Sequence, residues 1–280
     1  LSSPVDRSAA VPMKHHAKIV SAIAISALLT AGAAPAQAEK CANPDNITYV
    51  QGRDHCLAIQ TYWAGGNPDT LAIHFHGDVP SGRPVDFVFG IARAMARRGA
   101  NAVVLIRPGF RGAGRKSSGT ATHDQFSFMS RGRDEIESMG DAVARLKAHH
   151  RAKRLVLTGT SGGALIAGVL LGMRPDLVDA VLLISCPCDV QQLLFEKGFR
   201  RSEFTQSPHK WLENANPKAK IVAVSGSADR TTPPHHVEKY IAAARARGHD
   251  AQFLIVPGAG HGGRPFGPIV GFALDDLFRR

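Results

Sequence analysis

The sequence predicts an α/β fold: a mostly parallel central sheet with helices on both faces and a small cap insertion. Three observations carry that reading. Short continuous apolar runs, such as residues 101–106, 154–158 and 180–185, alternate with longer amphipathic stretches. This is the rhythm of strands buried on both faces by crossover helices. A serine bounded by glycines, Gly159-Thr160-Ser161-Gly162-Gly163, stands at one strand-to-helix junction. Other conspicuous polar residues also follow strands, where open α/β sheets bind their ligands.

The chain has 280 residues, 44% hydrophobic and 20% charged. That is enough for one sizeable core and too apolar for a disordered chain. The formal net charge is +11. The positive residues are scattered and no nucleic-acid-binding motif is present, so a basic surface is expected and a nucleic acid partner is not.

Residues 1–38 read as a leader outside the fold. Met13-Lys14-His15-His16-Ala17-Lys18 begins it, an apolar run follows over 19–34, and Ala36-Gln37-Ala38 ends it. A basic start, an apolar middle and an Ala-x-Ala end describe a secretory signal peptide cleaved after Ala38. Residues 1–12 lie upstream of Met13 and are set aside. The run is short for a membrane span and contains Ser21, Ser26 and Thr30, so stable membrane insertion is not expected. A secreted or periplasmic location is expected, with residues 39–280 as the folded domain. An oxidising compartment gives the four cysteines meaning. Cys41 and Cys56 are expected to pair and staple the mature N-terminus. Cys186 and Cys188 flank Pro187 and read equally as a tight bridge or as buried thiols.

In chain order, residues 57–63 and 70–76 read as adjacent strands joined by the turn Gly65-Gly66-Asn67-Pro68. Residues 85–98 have helical spacing, and 101–106 are a buried strand. Residues 131–150 read as a helix with Ile136, Met139, Val143 and Leu146 on one face. Strand 154–158, helix 162–172 and strand 180–185 follow. Residues 189–206 break the rhythm and read as the cap, carrying Phe195, Phe199, Phe204 and Arg200-Arg201. Strand 220–225, helix 237–247, strand 252–256 and helix 269–278 complete the domain.

The serine motif is a nucleophile elbow in its required strand–turn–helix setting. The turn holds Ser161 in a strained backbone conformation, and side chains in place of the glycines would clash. A hydroxyl is a weak nucleophile until a base takes its proton. His261, in the glycine-rich loop Gly258–Gly263 after the last strand, is the expected base. Among the other histidines, His149, His150 and His249 read as exposed helix ends, and His235 and His236 as lining the entrance. Asp229, after strand 220–225, is the expected carboxylate that orients the base. Asp189 is the rival, because it also follows a strand. The order Ser–Asp–His fits this assignment. Two backbone donors should face the oxyanion: the amide of Gly162 and that of Asp78, in the loop His74-Phe75-His76-Gly77-Asp78, with Gly77 and Val79 as the neighbours that could serve instead. The His-x-His-x-Asp pattern there also resembles the zinc-binding loop of metallo-β-lactamase-like hydrolases. That loop continues with a further histidine, whereas position 79 is Val, so neither metal nor cofactor is expected.

Taken together, His76-Gly77, Gly159–Gly163, Gly226 to Asp229 and Gly260-His261 resemble the α/β-hydrolase superfamily over the whole mature chain. Arg107-Pro108-Gly109-Phe110-Arg111-Gly112, and the stretch from Ser207-Pro208 through Pro217 to Pro233, resemble its prolyl oligopeptidase and dienelactone hydrolase-like branch. The chain has no room for a propeller, and a serine stands where the dienelactone enzymes use cysteine. The resemblance implies acyl transfer to water through an acyl-enzyme, without a cofactor. The expected substrate is a small-molecule or polymer ester, with a peptide or amide substrate, or a non-catalytic binding role, as the alternatives.

Overall fold

The computed structural model describes residues 40–66, 68–79, 82–120, 132–200 and 205–279. The expected leader over 1–38, together with Asn67, Arg201 and Phe204, lies outside the described residues. Among the described residues ten strands form: β1 (Tyr49–Gln51), β2 (Cys56–Tyr62), β3 (Thr70–Phe75), β4 (Asn101–Leu105), β5 (Arg111–Gly112), β6 (Arg115–Lys116), β7 (Arg154–Thr160), β8 (Ala180–Ile184), β9 (Lys220–Gly226) and β10 (Ala251–Val256). The α-helices are α1 (Phe89–Ala96), α2 (Arg133–His149), α3 (Gly162–Met173), α4 (Val190–Glu196), α5 (Pro208–Trp211), α6 (Pro234–Ala246) and α7 (Phe266–Phe278).

Eight strands make one sheet in the order β1-β2-β4-β3-β7-β8-β9-β10, and β5 and β6 form a separate hairpin. From β4 to β10 every pairing is parallel; β1 and β2 are added antiparallel at one edge. One expectation is corrected here. β2 and β3 are not neighbours, because β4 lies between them, with Leu105 opposite both Ile59 and Phe75. β4 is buried along its whole length, and so apolar a strand is better placed inside the sheet than at its rim.

Alternation explains why the strands read as unbroken apolar runs. Leu71, Ile73 and Phe75 of β3, Leu155 and Leu157 of β7, and Val181 and Leu183 of β8 pack with α2, α3 and α6 on one face. Ala72, Val156, Leu182 and Ile184 point the other way, onto α1 and α7. With both faces covered, neither side of a strand needs polar residues. α3 is buried from Gly162 to Gly172, so it runs through the interior and fixes the elbow at its start.

Cys41 pairs with Cys56, as expected, and Cys186 pairs with Cys188 across Pro187. The cap stretch contains α4, whose Phe195 is exposed. Among the described residues, no helix is long and apolar enough to cross a membrane.

Candidate active site

Ser161 sits between β7 and α3 with φ 54° and ψ −120°, a conformation that a residue with a Cβ adopts only when its surroundings enforce it. Those surroundings are backbone. A Cβ on Gly159 would lie 2.2 Å from the Gly163 carbonyl oxygen, and one on Gly163 would lie 2.0 Å from that of Phe75. The Ser161 amide donates to the Ile184 carbonyl at 2.8 Å, tying the elbow to β8. The hydroxyl therefore stands at the positive end of the α3 dipole.

The structure brings the three predicted side chains together. His261 Nε2 lies 2.9 Å from Ser161 Oγ, and His261 Nδ1 lies 2.8 Å from Asp229 Oδ2. They come from loops after β7, β9 and β10, and the last two loops interlock. The Ala228 amide donates to the Ala259 carbonyl, and the Gly258 amide donates to Ser227 Oγ. A Cβ on Gly226 would meet the carbonyl oxygens of Ala259 and Gly260 at 2.2 Å, so this approach requires glycine.

Asp229 is held on every side. Its Oδ1 accepts from the amides of Thr231 and Thr232, and its Oδ2 accepts from Thr232 Oγ1. Burial pushes the carboxyl up, but the hydrogen bonds from His261 and Thr232 outweigh burial and hold it below the usual carboxylate range. Thr232 Oγ1 also lies 3.1 Å from both the Ser185 carbonyl oxygen and His261 Nδ1. Sequence reading missed Thr232; the only available signal was its place three residues beyond Asp229, within reach of an Asx-type turn. Asp189, the rival, accepts from the Gln192 amide at 3.1 Å and caps α4 instead.

The loop after β3 lies against the elbow: a Cβ on Gly77 would be 3.2 Å from Ser161 Cβ. Gly162 opens α3 directly after the serine. Gly162 thus adjoins Ser161, and Asp78 follows directly on the glycine that approaches it. The Asp78 carboxylate accepts from Arg107 at 2.8 Å, and Arg107 also donates to the His76 carbonyl. His76 is fully buried, its Nε2 accepts from the Arg107 amide at 3.0 Å, and its Nδ1 lies 2.7 Å from the Gly77 oxygen. Burial, followed by the Arg107 charge, holds its imidazole well below the usual range. Arg107 is buried with its guanidinium 4.9 Å over the Phe110 ring. It is a lock on this loop that sequence reading did not single out.

His74 is also buried, 2.8 Å from Thr158 Oγ1, and burial lowers its pKa to about 3. It lines a cleft of about 400 Å³ together with Thr160, Ile184, Gly262, Phe266 and Val270. This apolar cleft borders the neighbours of Ser161 and His261. Three of the other histidines depart from expectation. His150, beside Asn101 and the Trp63 ring, is buried, as are His249, beside the Ala219 carbonyl, and His236, beside Glu196. His235 is exposed and also meets Glu196.

Residues 92–266 match the Prolyl oligopeptidase family. The chain belongs to that family. Membership makes it a serine hydrolase on an α/β-hydrolase fold, and the matched span includes Ser161, Asp229 and His261. A search of curated proteins returned no match. Among solved structures the fold is similar to that of Est1E from Butyrivibrio proteoclasticus, in a structure with ferulic acid bound. The two share 14% identity, over 82% of this chain and 97% of that one, with a TM-score of 0.63. It is similar to the Pyrococcus furiosus esterase Pf2001, at 16% identity over 82% of this chain and 88% of the other, TM-score 0.61. A puromycin-hydrolyzing peptidase from Mycobacterium tuberculosis shares 17% identity with this prolyl oligopeptidase family member over 83% of its length. That match spans only 38% of the peptidase, with a TM-score of 0.62.

Proposed function

We propose that the protein is a secreted carboxylic ester hydrolase working through Ser161, His261 and Asp229. The observation that carries this reading is the continuous relay from Ser161 Oγ to His261 Nε2, and from His261 Nδ1 to Asp229 Oδ2, at 2.9 and 2.8 Å. His261 takes the hydroxyl proton as Ser161 Oγ bonds to the acyl carbon. The resulting oxyanion faces the amides of Gly162 and Asp78, which do not reorganise as charge develops. His261 then gives the proton to the departing alkoxide, leaving an acyl-enzyme and free alcohol. Water, deprotonated by the same imidazole, releases the acid and restores Ser161. Asp229 stays ionised and fixes the tautomer in which Nδ1 carries the proton.

The family name and the peptidase neighbour favour a second reading, a small peptidase or amidase. The two esterase neighbours match nearly their whole length to this chain, whereas the peptidase has a large remainder with no counterpart here. That contrast favours esters. The apolar cleft beside Thr160 and Gly262 suits an apolar or aromatic acyl group. The reading includes a leader over 1–38 and a catalytic domain over 39–280; the two disulfides fit an oxidising compartment.

A fluorophosphonate probe should label wild-type protein at Ser161 and leave Ser161→Ala unlabelled. Nitrophenyl esters should turn over faster than the matching nitroanilides. Labelling that survives Ser161→Ala would remove the nucleophile assignment; faster anilide cleavage would favour the peptidase.

A further inference from the structure

Away from Ser161, the end of α4 meets the start of α6. Glu196 closes α4, and His235 and His236 stand in the first turn of α6. Their three ligand-capable atoms lie within 4.8 Å of one another. His235 Nε2 is 3.1 Å from Glu196 Oε2, and His236 Nε2 is 3.0 Å from the same oxygen. The two imidazoles lie side by side with centroids 4.0 Å apart. The Gln192 side chain donates to Glu196 Oε1 at 3.0 Å.

His236 is the unusual member. Its side chain is 0% exposed; Nδ1 has no hydrogen-bond partner among the described residues, and Nε2 meets the Glu196 carboxylate oxygen at 3.0 Å, off the direction in which an N–H donates best. A buried imidazole whose nitrogens have lost water without full replacement is disfavoured. Something that accepts the Nε2 lone pair, and draws in the carboxylate and the second imidazole, would remove that penalty.

We propose that Glu196, His235 and His236 form a binding site for a divalent transition-metal ion, zinc in the first instance. Two imidazole nitrogens and one carboxylate oxygen are a borderline-soft donor set, which suits zinc and not calcium or magnesium. Bonds of about 2.0–2.2 Å in a tetrahedron put the ligand atoms roughly 3.4 Å apart. The two separations from Glu196 Oε2 reach that spacing with small side-chain rotations. Gln192 holds the carboxylate from behind, the role that an outer-shell hydrogen bond plays at metal sites. Water fills the remaining position. The ion would clamp the described cap helix α4 onto α6, immediately downstream of Thr232, with no part in the chemistry at Ser161.

The test uses the whole protein, stripped with a chelator, dialysed and titrated with zinc in competition with a chromophoric chelator. One equivalent should bind, and cobalt in its place should show the visible bands of a low-coordinate nitrogen and oxygen site. His235→Asn and Glu196→Gln alter exposed side chains and should fold normally. Each should bind zinc at least about tenfold more weakly. In the absence of metal both should melt with the metal-free wild type, and zinc should raise the melting temperature of the wild type alone. Absence of zinc binding by the wild type, or equal affinity in wild type and both variants, would overturn the assignment.

Discussion

Two loops that carry a histidine beside glycine leave the carboxyl ends of β3 and β10, and they have been put to opposite uses. After β3, His76 is sealed in, with its ring nitrogens at the Arg107 amide and the Gly77 oxygen. After β10, the His261 side chain keeps 28% of its surface exposed, and its nitrogens meet a hydroxyl and a carboxylate. Partners, not residue type, make the difference. A histidine engaged by backbone groups has no use for a second proton and becomes scaffold. On the proposed reading, a histidine between Ser161 and Asp229 has a proton to receive and a charge to stabilise what it becomes.

The largest expected effect breaks this contrast at its active side. His261→Ala should lower ester turnover by about 10⁴-fold or more, since nucleophile and base act as a unit. The unfolding midpoint should stay near that of the wild type. Turnover within a tenth of wild type would place the base elsewhere.

On the scaffold side, Arg107→Met should act on stability first. Arg107 is buried and satisfies both the His76 carbonyl and the Asp78 carboxylate. Removing one partner of a buried pair is costly; with Asp78 18% exposed, we expect about 3 kcal/mol, the low end of the range. Urea melts measure it. A loss below about 1 kcal/mol, the scale of exposed pairs, would show that the loop after β3 is held by other contacts.

Asp229→Asn should cut turnover at least about a hundredfold, because an amide favours the wrong tautomer of His261. Its circular dichroism should match wild type, so that the loss reports chemistry. Near-wild-type turnover would mean that Thr232, already 3.1 Å from Nδ1, is enough to orient the imidazole.

These residues were not equally legible. Ser161, Asp229 and His261 each stand in a glycine-marked loop after an apolar strand, and the glycines exist because Gly159, Gly163 and Gly226 meet backbone within van der Waals distance. Steric necessity leaves a mark in the sequence. Arg107 showed no such mark of its role: it entered only as the first residue of the stretch Arg107–Gly112, and only the fold brings His76 and Asp78 to it. Thr232 is one more threonine in a turn. The strands were legible because both faces are buried, but their order was not. A short connection argues for β2 beside β3, and only the pairing of β4 with both overrides it. His150 and His249 close their helical segments, yet tertiary packing covers them.

Acid should expose the scaffold histidines. His74, lowered to about 3 by burial, and His76, held well below the usual range, stay neutral in the folded chain. Unfolded, both titrate near an ordinary imidazole, about 6.5. Below that pH the unfolded state binds protons that the native state refuses, so stability is present above about 6.5 and falls as pH drops towards 3. Each histidine contributes roughly 1.4 kcal/mol per pH unit in that window. Urea midpoints between about pH 7 and 5 measure the slope, and a flat profile would mean that these rings take up protons without unfolding.

The smallest effect separates the two carboxylates that follow strands. Asp189 and Asp229 look alike in sequence, but Asp189 accepts from the Gln192 amide at the start of α4, whereas Asp229 accepts from His261. Asparagine caps a helix about as well as aspartate, so Asp189→Asn should leave stability almost unchanged, and Asp189→Ala should lose about 1 kcal/mol. Turnover should change less than about tenfold in both, the scale of an altered substrate contact rather than a lost member of the relay. The pair of alanine and asparagine variants matters because it separates cap from charge. If asparagine were as damaging to turnover as alanine while stability held, the negative charge of Asp189 would be acting on the site through space. If asparagine abolished turnover outright while Asp229→Asn retained it, the acid would belong after β8, and the proposed relay would keep Ser161 and His261 but lose Asp229.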